Sequence, residues 1–295
     1  MQSLDAVRLH TRGKPFNLRN VMQRIAPLVE QEALIWQEPA GGSCYGQIEK
    51  RQSKTYAQMC YLGCQDEVDP IYLTKVLEAL VKKAGGWKSY GVLADLPEKS
   101  PLFDSFRKAG FCIWARQKVY LLDSGKEGKK GAAQGWRVWN SQDINAMTEV
   151  YKTVVPASTQ IIEPLTRKSA LGLVAYRDDG QLAAFTDLEY GPKGVWAQLV
   201  TDPQAELESL ISTLPRSIPD LLGRPVYLCV RSYQPWLEDL VERLGFQEKG
   251  SYILLVKHLV LRTKLEQSAL QKIFETGNVE GSLPITQIKH TFKLK

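Results

Sequence analysis

The chain is 295 residues long, 44% hydrophobic and 24% charged, with a net charge of +6. This length is about the limit for one core, so two domains of ordinary size are expected, with the composition of a soluble globular protein. No apolar run reaches the roughly 18 residues of a membrane span, and Met1-Gln2-Ser3-Leu4-Asp5 lacks the form of a signal peptide, so the expected compartment is the cytoplasm, with no membrane partner.

Ala6 to His10 reads as a strand, followed by a helix near Leu18 to Leu28 and strands near 33–38, 44–51 and 55–64. Asp69-Pro70 opens a helix carrying Leu73, Val76, Leu77, Leu80 and Val81 on one face. A strand over 90–95, a helix over 100–109 and a strand over 111–122 complete the first half. Lys126, Lys129 and Lys130 stand among glycines, which reads as a flexible solvated linker over 123–135 rather than a nucleic-acid patch.

The second half repeats this order. Gly135 to Trp139 reads as a short strand, Ser141 or Asp143 caps a helix ending before Pro156, and strands follow over 171–177, 182–190 and 195–201, joined by turns at Asp178-Asp179-Gly180 and Gly191-Pro192-Lys193-Gly194. Asp202-Pro203 opens a helix with Leu207, Leu210, Ile211 and Leu214. A strand over 225–232, a helix over 235–244 and final strands follow, and residues 261–295 form an extension without an assigned role.

Two segments mark a divergent repeat. Phe103 to Phe111 and Leu237 to Phe246 are amphipathic helices closed by Gly-Phe, where Gly110 and Gly245 supply the left-handed conformation that ends a helix. Tyr56-Ala57-Gln58-Met59 matches Trp196-Ala197-Gln198-Leu199 at a similar distance upstream. The fold class is therefore α/β (α+β): tandem domains over 1–122 and 136–260, each a mixed, mostly antiparallel sheet flanked by helices. Two separate sheets are expected, with Phe111 equivalent to Phe246 and Gln58 to Gln198. The five cysteines, Cys44, Cys60, Cys64, Cys112 and Cys229, read as reduced core thiols, and with no histidine set beside them a structural metal is not expected.

This order, with its Gly-Phe helix ends, resembles the GNAT superfamily of acetyl-CoA-dependent N-acetyltransferases, here in tandem and over residues 5 to 260. The resemblance implies that the fourth and fifth strands of a domain splay apart, that the pantetheine arm of acetyl-CoA lies in the gap, and that backbone amides at the next helix start hold the pyrophosphate. In the second half those positions are Leu199, Val200, Leu207, Glu208 and Ser209. This chain has Thr201-Asp202-Pro203-Gln204-Ala205-Glu206 where a glycine-rich loop is implied, and acidic side chains there normally cap the helix amides and repel phosphate. In the first half the matching stretch, Gln65 to Tyr72, is equally acidic. The tyrosine that the resemblance implies as general acid is Phe106 in one half and Val241 in the other, so Tyr233, or else Tyr252, is the substitute. Glu189, with Asp187 on the same face, is the candidate general base, and Gln58 and Gln198 either line the cleft or bind backbone groups.

The leading expectation is an acetyl transfer from acetyl-CoA to a small-molecule or peptide amine. A catalytically inactive GNAT-like binding module is the alternative, and an aminoacyl-tRNA-dependent transferase the second; the absence of a basic or aromatic stripe counts against nucleic acid.

Overall fold

A computed structural model describes residues 2–13, 29–37, 42–65, 70–122, 135–165 and 171–259. The expected helix at 18–28, most of the linker and the extension lie outside the described residues. The first half contains β1 (Gln2–Ser3), α1 (Ala6–Arg12), β2 (Val29–Gln37), β3 (Ser43–Arg51), β4 (Ala57–Gln65), α2 (Pro70–Gly86), β5 (Gly91–Pro97), α3 (Phe103–Lys108) and β6 (Cys112–Leu122). The second contains β7 (Trp136–Val138), α4 (Ile144–Val154), α5 (Ala157–Ile162), β8 (Leu171–Tyr176), β9 (Leu182–Tyr190), β10 (Val195–Thr201), α6 (Glu208–Ser217), β11 (Val226–Arg231), α7 (Pro235–Arg243) and β12 (Gln247–His258).

Local chemistry accounts for most element ends. Gly110 and Gly245 both have positive φ, 82° and 70°, as the Gly-Phe segments require. Asn140 and Asp143 form a reciprocal capping box before α4, and Pro235 stands in the first turn of α7. Two expectations are corrected. Ala6–Arg12 is a helix, because Asp5 caps it by accepting from the Arg8 amide. Cys44 and Cys64 face each other across β3 and β4 and form a disulfide, whereas Cys60, Cys112 and Cys229 are free.

Strand alternation sends one set of side chains to each face of the sheet. On one face α2 and α3 pack on Ala57, Met59, Val92 and Ala94, while α6 and α7 pack on Ala197, Leu199, Leu228 and Val230. On the opposite face α1 meets Trp196, Cys229 and Tyr252, α4 meets Phe185 and Val200, and Ile162 of α5 meets Tyr56 and Val256.

The two halves do not carry separate sheets. Their strands form one sheet in the order β2-β3-β4-β5-β12-β6-β11-β10-β9-β8-β7, with β1 paired to β4. The last strand of each half has crossed over: β6 pairs with β11 of the second half, and β12 pairs with β5 of the first. β6 and β12 also pair with each other, as two long antiparallel strands at the centre, and neither half keeps its own closing strand. The equivalences within the halves hold: Gln58 and Gln198 each end a parallel strand pair, and Phe111 and Phe246 each follow a Gly-capped helix.

Residues 1–122 made alone lack the Ile253 and Leu255 side chains that belong to their core. We expect that fragment and residues 136–260 each to aggregate or stay unfolded alone, and to form a folded 1:1 complex when refolded together. A dispersed amide NMR spectrum from either fragment alone would contradict the exchange.

Candidate functional site

Among the described residues each half has one parallel strand pair, and each pair comes apart. β10 and β11 stay in register from Val195 with Val226 to Gln198 with Cys229, yet β10 runs on to Thr201 and β11 to Arg231. β4 and β5 pair only at Ala57 with Val92 and Gln58 with Leu93, although β4 runs to Gln65 and β5 to Pro97. A buried backbone N–H or C=O left unmet costs about 1–3 kcal/mol, so another group must fill each gap.

In the second half that group is a side chain. Gln234, fully buried beside the start of α7, accepts from the Thr201 amide at 3.0 Å through Oε1 and donates Nε2 to the Leu199 carbonyl at 2.9 Å. Trp236 donates its indole N–H to Thr201 Oγ1 at 2.9 Å. Beyond the gap, α6 starts at Glu208, and its N-cap residue, Leu207, gives no side-chain cap. The acidic residues do not close that turn as expected: Asp202 Oδ1 accepts from the Gln204 amide, and its Oδ2 lies 3.6 Å from Arg177 Nη1.

Beside this gap lies a charged network. Arg231 is 5% exposed, with Nη2 at 2.5 Å from Glu163 Oε1, Nη1 at 2.5 Å from Gln117 Oε1, and its guanidinium over the Trp114 ring. Gln198 donates to Glu163 Oε2 at 3.3 Å and accepts from Arg231 Nη2 at 3.4 Å. Burial opposes the charge on Arg231, and the acidic groups around it, Glu163 first and Asp95 among the others, together outweigh that, so the guanidinium is held protonated. Arg231 Nε, Gln117 Nε2 and Trp114 Nε1 have no hydrogen-bond partner among the described residues. Tyr233 packs against the cluster containing Tyr151, Phe185 and Val200, and burial pushes its hydroxyl pKa well up.

In the first half the gap is filled by the chain itself. β1 lies antiparallel to β4, with Gln2 opposite Leu62 and Ser3 opposite Tyr61. The next residue, Leu4, donates its amide to the Cys60 carbonyl at 2.9 Å, and its own carbonyl accepts from the Asp95 amide at 2.9 Å and from Gln58 Nε2 at 2.8 Å. Asp95 Oδ2 then accepts from the Ala6 amide at 2.9 Å, at the start of α1. Asp5, Glu49 and Cys60 lie close enough together to suggest a metal set, but Arg8 Nη1 stands 2.7 Å from Glu49 and 3.3 Å from Cys60, so a guanidinium is their cation. α1 ends on the second half, where the Lys193 amide donates to the Thr11 carbonyl at 2.8 Å and His10 Nε2 meets the Tyr252 hydroxyl at 3.0 Å.

The structure separates the expected acid and base. Glu189 lies opposite Trp196, near the start of β10, and binds Arg51 of the first half at 3.0 Å. Tyr233 packs beside Val200, four residues farther along, or roughly 13 Å at the rise of a strand. Glu189 and Tyr233 are therefore not brought together at one centre. Tyr252 is buried against His10, and burial pushes its pKa up to about 12. Gln58 binds backbone, whereas Gln198 joins the charged network. Leu199 and Val200 are buried on β10, and Leu207, Glu208 and Ser209 stand at the start of α6. Sequence reasoning missed Glu163, Arg231 and Gln234. Arg231 had a signal, as a charge closing the apolar run Val226 to Val230, and Gln234 a weaker one, just before Pro235; Glu163 had none.

No family model and no curated protein matches the chain. Among solved structures it is similar to a tandem GNAT protein from the clavulanic acid biosynthesis pathway, at 14% identity over 80% of this chain and 85% of that one, TM-score 0.48. It is also similar to a GCN5-related N-acetyltransferase from Sphaerobacter thermophilus, at 15% identity over 82% and 85%, TM-score 0.47. A putative acetyltransferase from Pyrococcus horikoshii is similar at 14% identity over 88% and 86%, TM-score 0.48. In this chain the fold rests on its own topology: two halves of like element order, each with a parallel pair that parts after the equivalent glutamine.

Burial, and Asp95 next to it, pushes the Asp5 carboxyl up to about 7, and burial pushes Asp95 up to about 6. A carboxyl whose folded pKa lies above its unfolded value near 3.9 binds its proton more tightly in the fold. Its contribution is full below about pH 4 and is lost as pH rises through about 6 to 7. Asp5→Asn keeps the cap and removes the titration. Its Tm relative to the wild type should therefore rise between pH 4.5 and 7.5; a pH-independent difference would contradict the assignment.

Proposed function

We propose that the chain is an acyl-coenzyme A-dependent N-acyltransferase that moves an acetyl group to a small-molecule or peptide amine, with its donor site in the second half. The observation supporting this reading is the parted β10–β11 pair, whose Leu199 carbonyl and Thr201 amide are met by a side chain instead of a strand. An extended amide-bearing donor fits those two groups once Gln234 turns away, and the uncapped first turn of α6, at Glu208 and Ser209, offers backbone amides to an anion. The carboxylates of Glu206 and Glu208 limit the fit at that end. When bound, such a donor supplies an acyl group activated as a thioester.

The chain's own residues take three roles. Tyr233 keeps its proton in its apolar setting, as a donor must. Glu163, about a quarter exposed with 28% of its side chain accessible, offers carboxylate oxygens to an amine on the face where α5 ends, and Arg231 and Gln198 position it. Glu189 binds Arg51 across the two halves. With residues 2–5 in place the first half has no room for a donor, because Leu4 meets the Cys60 carbonyl and the Asp95 amide. We place the activity in the cytoplasm; among the described residues no helix is long and apolar enough to cross a membrane.

The non-catalytic binding module is the second reading, favoured by Gln234 meeting both β10 groups and by Val241 where the resemblance implies a tyrosine. Acetyl-CoA at 100 times its dissociation constant should stabilise the wild type by about 2.7 kcal/mol. Gln234→Ala should lower stability without ligand by about 1–3 kcal/mol and give a larger acetyl-CoA shift than the wild type. No shift in either protein removes the acyltransferase reading.

The catalytic roles have their own check. Tyr233→Phe and Glu163→Gln should each lower kcat for acetyl transfer by about 100-fold with the acetyl-CoA shift retained. Retained acetyl-CoA binding with no amine acetylated by the wild type would leave the binding module.

A further inference from the structure

We propose that the gap between β4 and β5 is a peptide-binding slot that residues 2–5 of the same chain occupy as a detachable strap. This goes beyond the acyltransferase reading and does not depend on it, since it concerns the other half of the molecule. The slot has the parts that an extended peptide needs. One wall offers an acceptor, the Cys60 carbonyl; the other offers a donor, the Asp95 amide; Gln58 Nε2 adds a second donor to the same peptide carbonyl. Leu4 uses all three, and the Gln2-Ser3 pair extends the ladder along β4 to Leu62.

Side-chain seats set the chemistry of the occupant. Leu4 is fully buried in the cluster with Ile48, Met59, Leu62 and Val92, so the seat takes a branched apolar side chain standing off an extended backbone. Outside the gap, Ser100 Oγ donates to Gln2 Oε1 at 2.8 Å, and Asp5 continues into α1. A leucine between polar neighbours in a strand conformation is what fits, which is a linear peptide rather than an unbranched chain.

The strap is also short enough to leave. Among the described residues its ladder consists of two paired residues and the Leu4 bonds, against nine paired residues between β2 and β3. Local opening free energy follows the number of buried contacts and hydrogen bonds that must break together, so this segment belongs to the low-stability end of the fold. The hinge is Asp5, where strand gives way to helix, and α1 keeps its own anchors on Tyr252 and Lys193 after the strap departs.

The test uses a chain that begins at Ala6, titrated with the synthetic peptide Met-Gln-Ser-Leu-Asp and with the same peptide carrying glycine in place of leucine. Saturable 1:1 binding of the leucine peptide, with a rise in Tm and at least a tenfold weaker response to the glycine peptide, is the expected result. Equal binding of both peptides, or binding of neither to a folded shortened chain, overturns the proposal. Hydrogen exchange on the complete protein decides the case in which the shortened chain does not fold: the Leu4 and Asp95 amides should exchange at least tenfold faster than the β2–β3 ladder amides, and exchange only at the rate of global unfolding overturns a detachable strap. Acetyl-CoA added to the complete protein reports on the second half alone, so failure of the strap and failure of the acyltransferase reading are separate results.

Discussion

A parallel strand pair that comes apart inside a protein leaves two rows of backbone donors and acceptors that cannot stay unmet in a dry setting. This chain contains two such places, and much of its structure answers them. The second half uses Gln234, a side chain whose primary amide has the donor and acceptor of a peptide group. The first half uses a stretch of its own backbone around Leu4. The first solution places a single side chain over Leu199 and Thr201, whereas the second fills the gap with main chain and a buried leucine. That difference is the physical reason for assigning the acyl donor to one half only.

The same segment that fills the first gap also ties the two halves together. Residues 2–5 belong to the first half, and α1 lies on the second, where Thr11 and His10 meet Lys193 and Tyr252. Exchange of β6 and β12 adds a second tie, because each half borrows the strand that completes its core. The ion pair between Arg51 on β3 and Glu189 on β9 spans the same junction on partly exposed side chains, and such pairs contribute little by themselves. Strand exchange, with long paired ladders on both sides, is the stronger joint.

One pair of equivalent positions illustrates the divergence between the halves. Asp95 and Arg231 each stand two residues past the last parallel pairing, Leu93 with Gln58 and Cys229 with Gln198. In the first half this position is a carboxylate that holds the start of α1, and its proton affinity is raised by burial. In the second it is a guanidinium that holds Glu163 and Gln117. One backbone location thus serves a structural cap in one copy and a polar network with several unpartnered donors in the other. Buried donors without partners are costly, and natural proteins keep few of them away from functional places.

Periodicity and end signals in the sequence carried the local structure. The meander strands over 182–190 and 195–201, the helix after Pro235 and both Gly-Phe closures are legible because alternation, a proline at a helix start and a left-handed glycine act within a few residues. The repeat and the equivalent positions of Gln58 and Gln198 were legible for the same reason. Long-range choices were not. Whether β6 closes its own half or its neighbour's depends on which partner edge is free, and both edges accept the same apolar strand. Ala6–Arg12 alternates well enough for a strand, yet a single cap at Asp5 and the filled gap before it make it a helix. Glu163 stands 68 residues before Arg231, and it meets Arg231 and the gap that Gln234 fills only after β10, β11, α5 and α7 have packed. No local pattern marks a contact that tertiary packing creates.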